Sequence, residues 1–370
     1  MRSERPTNSW QSVKTGRIEA QRSLPEDTTV FETQAPPERP VPRSPHALPK
    51  QALPKQPLQE RPPRTPRPSR RERRKSVSAV PAPAGRDRTP LSKRQRRRRG
   101  WKRFGVGVCV VLVVQFLSVV SFNWFTPPRT SFMLQSGEPI VYQYVSIDHI
   151  SRFTLAATIA HEDEQLGTRV GAFTWDELTQ RAEAWSKGEK DPSGSTIPQQ
   201  LVKNIYLWPN QDPVRKGLEA GLSTELSLTV PAKRVLELYL NYAQFAPKLY
   251  GICAASWYYF DTPPWAMTEH QAGQLMGVLP LPERVKRAPE GGIYLGEGVD
   301  PLAWDLINGA ANVWVPRQIE GMGGWQATVA TVGITDTAGD HAAERDSGDS
   351  CSTMPAAVTK RIAEDTTAHH

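Results

Sequence analysis

Residues 193–204 read SGSTIPQQLVKN and residues 213–220 read PVRKGLEA. The first stretch predicts a helix through STIPQQLVKNIYL, capped by Ser195 or Thr196, with Pro198 in the first turn where proline is tolerated. The second opens another helix at Asp212 and Pro213, running through VRKGLEAGLSTELSL. Upstream, ISRFTLAATIAHEDEQL reads as a helix with Phe153, Ala156, Ala157 and Ala160 on one face and Glu162 and Asp163 near its C-terminal end. Downstream, Pro231 breaks the chain before AKRVLELYLNYAQF resumes the helical pattern. Thr268 with Gln271 then resembles a capping box for TEHQAGQLMGVL. Residues 139–287 therefore read as a mainly α domain, the one folded unit expected.

The flanks differ in kind. Residues 1–103 hold 27 Lys+Arg against 9 Asp+Glu, whereas the other 267 residues hold 19 against 29, so the overall +8 averages two opposites. Seventeen of the 34 prolines fall in residues 1–100, and such a segment cannot bury enough apolar surface to offset its ordering entropy. Residues 104–125, FGVGVCVVLVVQFLSVVSFNWF, carry no charge and are long enough to cross a hydrocarbon core of ~30 Å. They read as a retained transmembrane helix, since a signal peptide would lie nearer the start. KRQRRRRGWKR at 93–103 precedes the span and a lone Arg129 follows it, placing the N-terminus in the cytoplasm and the rest outside it. The same cluster can attract anionic lipid, and no aromatic platform marks it for nucleic acid.

After Pro289 glycine becomes frequent, and from Asp336 the chain reads as a disordered tail. Cys109, Cys253 and Cys351 match neither a disulfide framework nor paired zinc ligands, and Cys253 reads as a small buried residue. Trp257, Tyr258, Tyr259 and Trp265 read as core and membrane-interface packing. No phosphate-binding glycine loop or G-x-S-x-G elbow is present. The expected division is a disordered basic Pro/Arg-rich arm (1–103), a transmembrane helix (104–125), a helical domain (127–290), a weakly ordered extension (291–335) and a disordered tail (336–370).

Three blocks carry chemistry: IAHEDEQLGTRVG at 159–171 and the two quoted first. They bring the carboxylates of Glu162 and Glu219 close in sequence to cations and amides. A carboxylate at an apolar helix end suits a general base. Lys203, Arg215 and Lys216 suit a diphosphate, whose developing charge cations stabilise. Arg215 and Glu219 stand four apart on one helix face, by default a surface ion pair worth little.

S-T-I-x-Q-Q-L-V-K-N, then R-K-x-x-E-A, then K-R-V-L-E-L-Y-L-N resembles glycosyltransferase family 51, the peptidoglycan glycosyltransferases, over residues 127–290. The monofunctional members are the closer likeness, because no S-x-x-K or K-T-G block follows. The resemblance implies a lysozyme-like helical fold behind its anchor, polymerising lipid II into glycan strands at the outer face of the inner membrane. It implies that Glu162 deprotonates the 4-hydroxyl of incoming lipid II, which attacks the anomeric carbon of the lipid-linked chain with inversion. Glu219 would act at the diphosphate by orienting cations or a divalent metal (Mg or Mn), with Lys203, Arg215 and Lys216 binding the leaving group. Asp163, Ser195, Thr196, Gln199, Gln200 and Asn204 would contact substrate. Implied partners are lipid II, the nascent strand, the membrane and cell-division or cell-wall synthesis proteins, with no nucleic acid.

The first motif of that family, E-D-x-x-F-x-x-H-x-G-x-D, here has Leu166 for phenylalanine, Arg169 for histidine and Phe173 for aspartate. Ser193 stands for a glycine, Pro198 for a hydroxyl residue, Ala246 for a glycine and Gln271 for an acid. Arg169 is thereby a further candidate for anion binding. These departures motivate an alternative, a catalytically weakened member serving as a membrane-anchored scaffold for cell-wall synthesis.

Overall fold

A computed structural model describes residues 93–188, 194–208, 213–341 and 345–367. The arm up to residue 92, Ser193, Asp212 and the terminal histidines lie outside the described residues. From Val106 onward the described chain forms one compact unit.

Helix α1 (Lys93–Val120) contains the apolar span, and the stretch Arg97–Asn123 is long and apolar enough to cross a membrane. The basic residues 93–103, expected to be disordered with the arm, are helical. Arginine and lysine are good helix formers, and propagation from an adjoining helix needs no new nucleus.

A short α2 (Ser131–Ser136) and β1 (Val141–Tyr142) lead to α3 (Arg152–Glu162), whose sequence RFTLAATIAHE is buried from Leu155 to His161. Alanines at 156, 157 and 160 let neighbours approach α3 from several sides, as a helix enclosed all round requires. It ends at Glu162 because Asp163 turns out of helical geometry while its N–H still reaches the Ile159 carbonyl at 3.0 Å.

Next come α4 (Trp175–Lys187), α5 (Ile197–Tyr206), α6 (Pro213–Thr229) and α7 (Ala232–Tyr242), followed by β2 (Gln244–Ala246), β3 (Leu249–Tyr250), α8 (Ile252–Phe260) and α9 (Glu269–Val278). The strands form a small sheet in the order β1-β3-β2, with Val141 opposite Leu249 in parallel and Gln244 opposite Tyr250 antiparallel. The sequence signals for these helices hold. Thr196 caps α5, Pro231 precedes α7, and the Thr268 hydroxyl accepts the Gln271 N–H at the head of α9.

The expectation for the C-terminus does not hold. Residues 291–335 and the described part of 336–370 are folded: α10 (Pro301–Gly309), a π-turn (Ala310–Trp314), α11 (Val315–Gly321), α12 (Trp325–Ala330), α13 (Ala338–His341) and α14 (Ala356–Thr367). Three contacts outweigh the polar composition. First, Gly273 and Gly277 of α9 let α10 and the π-turn come so close that a Cβ on Gly273 would stand 2.8 Å from the Ala311 Cα. Second, Cys253 of α8 and Cys351 form a disulfide across 98 residues of sequence. Third, α14 lies on α8, where the Tyr258 hydroxyl donates to Asp365 at 2.7 Å and Arg361 reaches the Pro247 carbonyl at 2.9 Å. Tyr258 and Tyr259 are core residues, as expected, while Trp257 donates its indole N–H to the Cys351 carbonyl.

Replacing Cys253 and Cys351 together by alanine removes the constraint on a loop of this length and is expected to lower stability by about 2–5 kcal/mol. Thermal melts of the purified protein should show a drop of several degrees, and an unchanged melting temperature would contradict this placement of the extension.

Candidate functional site

The site forms where the C-terminal end of α3 meets the N-terminal end of α5. Asp163 is buried at this junction. Its carboxylate accepts two hydrogen bonds from the Arg169 guanidinium, both 2.8 Å, and a third from the Ile197 N–H at 3.2 Å. Asp163 therefore clamps the two helices together. Arg169 is spent on the same pair and does not present a free anion site. A bidentate guanidinium clamp holds its carboxylate in one orientation, which fixes the backbone on either side.

Glu162, one residue earlier, is only partly buried. The Gln200 side-chain amide donates to Glu162 Oε2 at 2.8 Å and to the Ser195 carbonyl at 3.1 Å, while its oxygen accepts from the Tyr239 hydroxyl at 3.1 Å. Gln200 thus orients Glu162 from α5, and Tyr239 of α7 orients Gln200. Tyr239 is a site residue the sequence reading passed over, although it lies in the quoted KRVLELYLN block.

Gln199, expected to line the cleft, is instead buried, and its Oε1 accepts the Thr196 N–H at 2.8 Å to close the capping box of α5. Thr196 is likewise buried, with its hydroxyl on the Ala172 carbonyl at 3.2 Å. Both residues build the helix start. Ser195 is exposed beside them. Asn204, one α5 turn beyond Gln200, donates weakly to the Tyr242 carbonyl at 3.4 Å.

The cationic part of the site comes from α5 and α6. Arg215 and Glu219 are buried, not exposed as the i,i+4 spacing alone suggested, and are 3.1 Å apart. Lys216, half-exposed, reaches the other Glu219 oxygen at 3.0 Å. Lys203 is half-buried on α5. Burial pushes its ammonium below the usual lysine range, opposed chiefly by the Glu219 carboxylate, and it also feels Lys216, Arg215 and Glu162. One lysine therefore senses both carboxylates and both other cations, so the residues of the three sequence blocks share a single electrostatic neighbourhood.

Glu219 is already held by two cations, a donor set unlike the several oxygen ligands that magnesium or manganese requires. Among the described residues no three His, Cys, Asp or Glu side chains gather to hold a metal. A cavity of about 370 Å³ beside Arg152 and His341, and another of about 340 Å³ beside Arg169 and Pro231, are lined by none of Glu162, Lys203 or Glu219.

The motif departures acquire physical roles. Leu166 is buried, Arg169 pairs with Asp163, and Phe173 lies under the Arg181 guanidinium at 4.9 Å. Chemically, the arrangement offers one oriented carboxylate and, on the adjoining helices, two cations paired with a second carboxylate and a lysine that feels its charge.

A family model described as transglycosylase matches residues 132–292. The chain is 35% identical over 209 residues, 56% of its length and 86% of the relative's, to the biosynthetic peptidoglycan transglycosylase of Marinomonas sp. strain MWYL1. It is 36% identical over 181 residues to the protein of that name from Pasteurella multocida, covering 46% of this chain and 73% of that one. For the Shewanella frigidimarina protein of the same name the values are 40% over 156 residues, 42% and 69%.

Arg169→Met is expected to leave the buried Asp163 carboxylate unpaired at a cost of about 3–5 kcal/mol, and adding Asp163→Asn should recover part of that loss. Urea denaturation of the two variants measures both effects. Equal stability of Arg169→Met and the parent would show that the pair does not hold the junction.

Proposed function

Because the chain belongs to the family of biosynthetic peptidoglycan transglycosylases, we propose that Glu162 is the base and that Lys203, Arg215 and Lys216 form the leaving-group clamp of its peptidoglycan glycosyl transfer. The observation that carries this assignment is the packing of α5 on α6: Gln200 of α5 holds Glu162 Oε2 at 2.8 Å, while Arg215 and Lys216 of α6 hold Glu219 at 3.1 and 3.0 Å.

The substrates are lipid II and the growing glycan strand. Glu162, oriented by Gln200, takes the proton from the 4-hydroxyl of the incoming sugar. The freed oxygen bonds to the anomeric carbon of the lipid-linked chain as the bond from that carbon to the diphosphate breaks. The electron pair leaves with the lipid diphosphate, whose charge meets Lys203, Arg215 and Lys216. Glu219 keeps Arg215 and Lys216 from repelling one another and holds them in place before substrate arrives, so the clamp needs little rearrangement during reaction. No step is routed through a metal, given the donor set around Glu219.

The apolar helix α1 anchors the enzyme in the inner membrane, with the basic residues 93–103 on the cytoplasmic side. The Cys253–Cys351 disulfide supports a catalytic domain on the opposite side, where thiols are oxidised. No observation favours the scaffold alternative.

Glu162→Gln preserves the shape of the side chain and its contact with Gln200 while removing the proton acceptor. Lipid II polymerisation by the detergent-solubilised full chain should fall by at least ~10²-fold with an unchanged thermal melt. Parent-like strand synthesis by the variant would overturn the assignment of the base.

A further inference from the structure

The described chain beyond residue 292 lies outside the stretch matched by the family model, yet it grips the helix that ends in Glu162. At the start of α3, Trp325 meets Phe153 edge-on at 5.5 Å and Asp336 pairs with the buried Arg152 at 3.0 Å. At its end, His161, buried and adjacent to Glu162, places Nδ1 2.8 Å from Gln318 Oε1. The Trp314 indole lies parallel to the same imidazole, with centroids 6.5 Å apart. Just past Glu162, a Cβ added to Gly167 would overlap the Thr331 carbonyl, so the backbone of the extension rests directly against the loop that carries Arg169.

The extension's own conformation is shaped for these contacts. Trp314 closes the π-turn, a geometry that recurs at functional positions. Pro316, lacking an N–H, removes one ordinary helical hydrogen bond just after it. Gly309 leaves room for the Trp314 ring, since a Cβ there would come within 2.6 Å of it.

We propose that Gln318 and Trp314 of the C-terminal extension are positioning residues that act through His161 to fix the rotation and depth of the α3 terminus, and with it the carboxylate of Glu162. The inference rests on the reading of Glu162 as the base. The Gln318 oxygen accepts from the His161 Nδ1–H, setting the tautomer of the ring, and Trp314 sets its plane. With α3 gripped at both ends and the following loop backed by Thr331, the base cannot slide along the helix axis. An error of about 1 Å in the placement of such a group is enough to cost a large factor in rate. The contact does not involve the cationic cluster, so it bears on the chemical step rather than on diphosphate binding.

Two substitutions in the full chain separate positioning from bulk stability, with Glu162→Gln run alongside. Gln318→Leu keeps the volume but removes the acceptor. Gln318→Glu keeps an acceptor oxygen at the same reach. Lipid II polymerisation is followed for kcat and KM, with thermal melts on each variant. The expected result is a drop of about ten- to a hundredfold in kcat for Gln318→Leu, KM within twofold of the parent, and recovery of most of the rate in Gln318→Glu at a comparable melting temperature. Parent-like kcat in Gln318→Leu beside an inactive Glu162→Gln would overturn the positioning role and leave the base in place. Equal losses in both Gln318 variants, tracking a lowered melting temperature, would reduce the contact to packing and overturn the inference. An active Glu162→Gln would remove the base reading itself, and the inference with it.

Discussion

Everything at the site depends on one buried carboxylate. Asp163 ties the last turn of α3 to the first turn of α5 through the Ile197 N–H, and Arg169 neutralises it in two parallel bonds. An isolated charge at that depth would be costly, so the loop 164–169 must fold back to bring the guanidinium in. Once that junction is fixed, Glu162 emerges at the helix end within reach of Gln200, and α5 carries Lys203 toward Glu219. The proposed base and the proposed clamp are thus set relative to one another by a residue that need not touch substrate. Arginine at position 169, a departure from the motif this chain resembles, makes a two-pronged contact well suited to this duty.

The helices were legible where their signals are local. Ser195 or Thr196, Thr268 with Gln271, and Pro231 each mark a boundary within a few residues, and the structure uses Thr196, Thr268 and Pro231 as caps and breaks. The C-terminal extension was not legible from its composition because its order comes from afar. Its tail is polar, and what holds it is a disulfide to α8, the glycine pair at 273 and 277 in α9, and side chains reaching α3 and α8. A four-residue glycine spacing on one helix face and two cysteines placed late in the chain were the available hints.

The site divides in the same way. Residue types in a spaced pattern singled out Glu162, Lys203, Arg215 and Glu219 as candidates, and the structure carries them on three helices that meet at the same place. The pattern did not distinguish residues that face a ligand from residues that hold those residues. Gln199 and Thr196 turned out to cap a helix, Gln200 to orient Glu162, and Asp163 to clamp the junction. Burial separates the classes, and burial is a property of the packed chain.

The central claim is that proton abstraction and leaving-group binding belong to different residues on helices that meet at one junction. Equilibrium binding of a lipid-diphosphate-linked disaccharide lacking a free 4-hydroxyl, measured on the detergent-solubilised parent, Glu162→Gln and Lys203→Met, tests it most directly. The account predicts an affinity within about twofold of the parent for Glu162→Gln and a loss of about tenfold or more for Lys203→Met, the scale of a charge-assisted contact. The reverse order, with Glu162→Gln losing affinity and Lys203→Met retaining it, would contradict the account.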